Sequence, residues 1–126
     1  MVTAFAYPPI NRFDESVEIN IKVERLTPFW LGIGVSKGKK NYEDGSKNHI
    51  LMTSNGWTSV EGKFVRSKIK YCSKDTVKIK WDKLKSFLEF SCSGERETVN
   101  LGLQWDLDIY LCIVLFYKGD SIQLLS

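Results

Sequence analysis

The sequence predicts an all-β chain that closes as a sandwich or a barrel, and three observations carry the prediction. Between Val77 and Gly94 two runs alternate between apolar and polar residues around a short polar loop. Further short apolar runs follow one another between turn signals along the chain. No heptad, helical stripe of useful length or low-complexity segment interrupts them. Alternation sends successive side chains to opposite faces, so each run offers one face to a core and the other to water.

Taken in order, Met1 to Asp14 carries Pro8-Pro9 and no period. It reads as an irregular lead-in, with Phe5, Tyr7 and Phe13 over the core edge. Ser16 to Val23 alternates cleanly, with Val17, Ile19, Ile21 and Val23 on one face and Glu18, Asn20 and Lys22 on the other. Thr27-Pro28 marks a turn. Phe29 to Val35 is a strand whose Gly32 and Gly34 predict a close backbone approach or a bulge. A phosphate loop is excluded there, because neither a helix pattern nor Gly-Lys-Ser/Thr follows. Ser36 to Asn48 is a long exposed polar loop. Ile50 to Thr53 is a short strand, and Ser54 to Gly62 has turn chemistry around Trp57.

Phe64 to Cys72 alternates again, with Val65, Ser67, Ile69 and Tyr71 on one side and Arg66, Lys68 and Lys70 on the other. In the central hairpin Val77, Ile79 and Trp81 share one face, and Lys78 and Lys80 the opposite one. On its second strand Leu88, Phe90 and Cys92 oppose Phe87, Glu89 and Ser91. Such a hairpin is half of a two-layer structure and needs a partner sheet. Glu95 to Asn100 is polar, and Leu101 to Leu107 is loop or short strand. Ile109 to Tyr117 is uncharged and too short to span a bilayer as a helix, so it reads as a fully buried strand. Lys118-Gly119-Asp120 turns the chain into a last strand, Ser121 to Leu125.

At 126 residues the chain is long enough for one domain, spanning 1–126, and too short for two. A hydrophobic fraction of 43% with 13% aromatics fills one core. The net charge of +3 is too small for a dedicated nucleic-acid binder. Cys72, Cys92 and Cys112 are odd in number, widely spaced and without a Cys-x-x-Cys pair. They read as buried structural thiols of a reducing compartment. No targeting signal is visible, so the expected location is intracellular, cytoplasmic or nuclear, without membrane insertion.

A single histidine, His49, in a polar loop without a carboxylate beside it, removes most acid–base and nucleophilic arrangements. No metal site and no cofactor are expected, since zinc wants four close ligands. Glu95, Glu97, Asp106 and Asp108 read as solvated loop charges rather than a glycosidase pair. The chain is expected to be a non-enzyme. A basic face is the clearer feature: if their strands pair, Arg66, Lys68, Lys70, Lys78 and Lys80 share one sheet surface. Like charges face to face repel, so Glu89 is the expected partner of Lys78 or Lys80. The residues between these cations point inward, which disfavours base stacking and nucleic acid. Trp30 and Trp81 lie within strands and are expected in the core.

In this order of features the chain resembles the SPRY domain, from about Ser16 to Leu125. Trp30-Leu-Gly-Ile-Gly-Val35 is similar to the family's Trp-x-x-Gly-Val strand. Asp75-Thr-Val-Lys-Ile-Lys-Trp-Asp82 is similar to its Gly-Asp-x-Val-x-x-x-Asp strand, and Phe87-Leu-Glu-Phe90 with Ser93-Gly94 to its Phe-x-x-Asn-Gly hairpin. Tyr110 to Leu115, Lys118-Gly-Asp and Ile122-Gln-Leu124 are similar to its closing strands. Lys74 stands where the family has Gly, Ser93 where it has Asn, and the Lys83 to Ser86 turn has no Gly.

The resemblance implies a two-sheet antiparallel β-sandwich of lectin-like kind, no catalysis, and loops at one end that bind another protein. That partner is a peptide segment or a subunit of a larger complex. The loops Ser36 to Asn48, Ser54 to Gly62 and Glu95 to Asp108 are the expected surface. Trp57, Trp105 and Tyr42 are its expected apolar anchors, with Lys39, Lys40 and Asp106 selecting charge. Carbohydrate binding by the loop aromatics is the alternative reading, and nucleic-acid binding through the lysine face the second. The sequence sets no oligomeric state.

Overall fold

A computed structural model describes residues 2–6, 9–10, 16–26, 30–38, 46–82, 85–100, 108–117 and 119–125. Among these residues the regular structure is β, apart from 3-10 conformation at Ile10 and a 3-10 turn at Ser46–Asn48. The strands are β1 (Val2–Ala6), β2 (Ser16–Arg25), β3 (Leu31–Lys37), β4 (His49–Thr53), β5 (Trp57–Val60) and β6 (Lys63–Arg66). They continue as β7 (Thr76–Asp82), β8 (Phe87–Cys92), β9 (Glu95–Asn100), β10 (Ile109–Leu115) and β11 (Ser121–Leu124).

Two antiparallel sheets form. One has the order β1-β10-β3-β4-β5-β6, the other β11-β2-β7-β8-β9. The inward residues of both sheets, among them Ile33, Ile50 and Met52 from one and Ile21, Val77, Ile79 and Phe90 from the other, form one buried cluster. The fold is therefore a sandwich and not a barrel. The central hairpin behaves as its alternation dictates. Val77, Ile79 and Trp81 are buried while Lys78 and Lys80 are exposed. Leu88, Phe90 and Cys92 are buried on the neighbouring strand.

Around β10, β3 and β4 the six-stranded sheet buries apolar side chains on both faces. Ile50 and Met52 enter the main core, whereas Leu51 between them joins Cys112 and Val114 in a second cluster on the outer face. Phe5 and Trp30 pack against that second cluster. This double burial explains the uninterrupted apolar run of β10. Gly34 permits the close β3–β4 approach that its position in a strand predicts. A Cβ there would sit on the Ile50 carbonyl, 2.8 Å from both its carbon and Leu51 Cα.

Two tight hairpin turns have paired positive φ angles: Glu61 and Gly62 at 51° and 90°, Ser93 and Gly94 at 51° and 86°. Both angles positive is the I′ geometry, whose twist suits a two-residue hairpin. Lys74, standing where the resemblance expects Gly, has φ 78°.

Several expectations need correction. Residues 1–14 are not all irregular, because β1 pairs with β10 along its length. Ser54 to Gly62 is not all turn, since β5 runs through it, and Glu95 to Asn100 is the edge strand β9 rather than loop. Its charged alternation suits an edge with one wet face. His49 lies buried in β4, not in a polar loop. The strand expected from Phe64 to Cys72 ends at Arg66. Beyond it the chain crosses toward the other sheet, where Glu97 on β9 accepts the Lys68 N–H at 2.8 Å. Burial still alternates from Ser67 to Tyr71, but Val65, expected inward, is 58% exposed. β6 overhangs the sandwich at its margin.

Candidate functional site

The best-formed hollow among the described residues lies on the outer face of the six-stranded sheet, toward its β6 margin. It encloses about 310 Å³ and is lined by Trp30, Thr53, Asn55, Trp57 and Phe64. The registers explain the grouping. Gly32 faces Thr53 across β3–β4, and Trp57 faces Arg66 across β5–β6. Side chains in such a row share a face, and Gly32 leaves room there for Trp30. A Cβ on Gly32 would come 3.1 Å from Trp30 Cζ3.

Hydrogen bonds fix the corner where β3 begins and β4 turns into β5. The Leu31 N–H donates to Ser54 Oγ at 3.0 Å, and the Ser54 N–H donates to the Leu31 carbonyl at 2.9 Å. Thr53 Oγ1 accepts the Trp57 N–H at 3.1 Å and donates to Asn55 Oδ1 at 2.6 Å. Behind them the buried Tyr71 hydroxyl lies 2.7 Å from the Leu31 carbonyl oxygen and 2.6 Å from that of Met52. Burial pushes the Tyr71 phenol well above its ordinary value, so it keeps its proton for these contacts. The aromatic walls are held too. The Arg66 guanidinium lies 5.0 Å from the Trp57 ring centroid, within cation–π range. The Trp30 ring stands 5.8 Å from that of Phe116.

Trp57 is thus the one expected anchor that the described residues place in a hollow. Lys39, Lys40, Tyr42, Trp105 and Asp106 lie outside the described residues. Trp81 is in the core as expected, at 5% exposure. Trp30, also expected there, instead lines the outer hollow. Phe64, Thr53 and Asn55 escaped the sequence reading. Lys63-Phe-Val-Arg66 does carry a signal for an edge strand, with an apolar residue on each face and a cation at each end.

The single basic face does not form. Arg66 sits on the edge strand of one sheet, Lys68 and Lys70 follow on the crossing segment, and Lys78 and Lys80 lie on β7 inside the other sheet. The strands expected to pair belong to different layers. Lys78 binds Glu18 across β2–β7 at 2.9 Å, and its hydrogen bond and charge hold the Glu18 carboxyl below its ordinary range. Glu89 faces Lys80 in the ladder. A second, more polar hollow of about 380 Å³ opens beside this row, with Asn20, Thr76, Lys78, Ser91, Ser93 and Arg96 on its walls.

The thiols are the opposite of activated nucleophiles. The Asp75 carboxylate accepts from Cys72 Sγ at 3.4 Å and raises that thiol, while burial raises Cys92 and pushes Cys112 up to about 12. Among the described residues no three His, Cys, Asp or Glu side chains are placed to hold a metal ion. No helix among them is long and apolar enough to cross a membrane.

No family model and no curated protein sequence matches this chain. Solved structures do. The SPRY domain of human HERC1 superposes with a TM-score of 0.77 at 14% identity, over 97% of this chain and 80% of that one. Stonustoxin superposes with a TM-score of 0.72 at 13% identity, over 98% of this chain and 20% of its own. At such identities the likeness speaks for architecture. The chain has a SPRY-like fold.

Proposed function

We propose that the chain is a non-catalytic protein-interaction module that seats an apolar side chain of a partner segment between Trp57, Trp30 and Phe64. One observation carries the reading: three aromatic side chains line one hollow whose rim is fixed by the Thr53–Trp57 and Leu31–Ser54 hydrogen bonds. A preformed apolar cavity lowers the ordering cost of binding, and buried aromatics dominate the affinity of small interfaces. The SPRY-like fold supports a protein partner. Trp57 is the central anchor, and Arg66 holds its ring. Lys39, Lys40, Tyr42, Trp105 and Asp106 stay proposed as flanking contacts.

Selection from a random peptide library displayed on phage tests the reading. The chain should enrich peptides with a recurrent aromatic or aliphatic residue. Trp57→Ala should lose them while its circular-dichroism spectrum stays that of a β protein. Equal enrichment by Trp57→Ala would sink the proposal. The carbohydrate alternative draws on Asn55 and Thr53 beside the Trp57 ring. Binding on a glycan array that depends on Trp57, with no peptide enriched, would put it first.

A further inference from the structure

β6 is a four-residue strand at the margin of its sheet, and β5 is its only partner among the described residues. All four of its residues are exposed, and Phe64 and Val65 are each 58% exposed. A solvated edge does not call for two large apolar side chains, one on each face. The hairpin geometry shows which backbone groups are open. In a two-residue turn the flanking pair, Val60 and Lys63, exchanges both ladder bonds. The bonded pairs then alternate, through Thr58 and Val65, to Gly56 and Ser67. The Ser67 N–H does donate to the Gly56 carbonyl, at 2.8 Å. Phe64 and Arg66 fall between these pairs, so their N–H and C=O groups point away from β5.

Charge then selects an occupant. Lys63-Phe-Val-Arg66 reads cation, apolar, apolar, cation. Two copies meeting edge to edge would crowd four cations onto two short strands, with no carboxylate among them. A segment reading acid, apolar, apolar, acid is complementary. Its apolar residue opposite Phe64 lands on the face that holds the hollow, and the one opposite Val65 covers the apolar side chain that the sandwich leaves exposed.

We infer that the β6 edge takes up an extended acidic–apolar–apolar–acidic segment of a partner protein as an added antiparallel strand. The inference rests on the protein-binding reading above and names the conformation and charge of its ligand. Main-chain bonds to Phe64 and Arg66 supply affinity, and the flanking side chains set specificity.

The test uses a capped six-residue peptide, Ser-Glu-Val-Phe-Glu-Ser, titrated by fluorescence anisotropy. Antiparallel addition puts its first Glu opposite Arg66, Val opposite Val65, Phe opposite Phe64 and the last Glu opposite Lys63. N-methylation of the Phe amide, which faces β6, should weaken binding about tenfold or more. N-methylation of the Val amide, which faces away, should leave binding unchanged. Lys63→Glu should weaken it about threefold, and a peptide with Lys for the last Glu should recover that loss on Lys63→Glu.

Equal effects of the two N-methyl groups, no binding by the peptide, or dimerisation of the protein alone through β6 would each overturn the edge assignment. The hollow reading survives those results if library peptides still need Trp57. Peptide binding with the N-methyl pattern intact, but with library binding indifferent to Trp57→Ala, supports the edge and defeats the hollow.

Discussion

Replacing Gly34 with alanine should separate β3 from β4. The new methyl would meet the Ile50 carbonyl head on and come 2.8 Å from two further backbone atoms of β4. No rotamer relieves such contacts, because a Cβ has none and the atoms it meets are main chain. The strands must move apart around the Gly34–Leu51 pair of the register. Overpacking of this kind costs about 1–3 kcal/mol, and each ladder bond weakened adds about 1 kcal/mol. With one or two bonds weakened the sum is about 2–5 kcal/mol, a large part of a small domain's total stability. Gly32→Ala is the control. Its nearest neighbours are ends of side chains, Trp30 Cζ3 at 3.1 Å and Leu51 Cδ1 at 3.4 Å, which can tilt. That change should cost about 1 kcal/mol and reach the hollow by shifting Trp30. Urea unfolding followed by tryptophan fluorescence measures both, with the slope checking that the transition stays two-state. A Gly34→Ala protein as stable as Gly32→Ala would refute the claimed backbone approach.

Two further outcomes follow from burial. Ser59 is fully buried on β5, and its hydroxyl has no hydrogen-bond partner among the described residues. Ser59→Ala should therefore raise stability by about 1 kcal/mol, and a clear loss in the same urea experiment would show that the hydroxyl is satisfied. The second outcome concerns alkaline pH. Burial moves the Cys112 thiol from 9.0 to about 12, so above pH 9 the unfolded chain gives up a proton that the folded chain keeps. Stability from this group is complete below that pH and falls between the two values, by about 1.4 kcal/mol per pH unit. Tyr71, raised in the same direction, steepens the fall above its ordinary value of 10.0. Urea midpoints across the alkaline range should drop less in Cys112→Ala than in the parent, and parallel curves would count against the burial argument.

Legibility differed from one part of the chain to another. β2, β7 and β8 could be read in place, because each has a wet face and a dry face and nothing else competes. The Ser93–Gly94 turn was legible through its glycine, which takes a φ of 86° without strain, whereas Ser93 at 51° is an uncommon non-glycine case. β1 and β9 were missed for opposite reasons. Thr-Ala-Phe-Ala gives no polar alternation when its strand lies against an apolar one, and Glu-Arg-Glu-Thr-Val-Asn looks like solvent when only one of its faces is needed for packing. Of the hollow, Trp57 stood out by its turn-rich setting. Trp30 did not, because an aromatic residue beside an apolar strand looks the same whether it packs inside the sandwich or on its outer face.

The sequence alone determined β2, β3, β4, β7, β8, β10 and β11 as extended segments and, for most of these, which residues share a side. That information is local: it follows from the two-residue period of an extended backbone. Beyond the β7–β8 hairpin, only the tertiary structure decided which strands became neighbours, and with that the separation of Arg66 from Lys78, the overhang of β6 and the meeting of Trp30 with Trp57 and Phe64. Partner choice among strands depends on packing summed over residues far apart in the chain, and the period says nothing about that sum. A face can be read from one strand, but a surface needs to know which strand lies beside it.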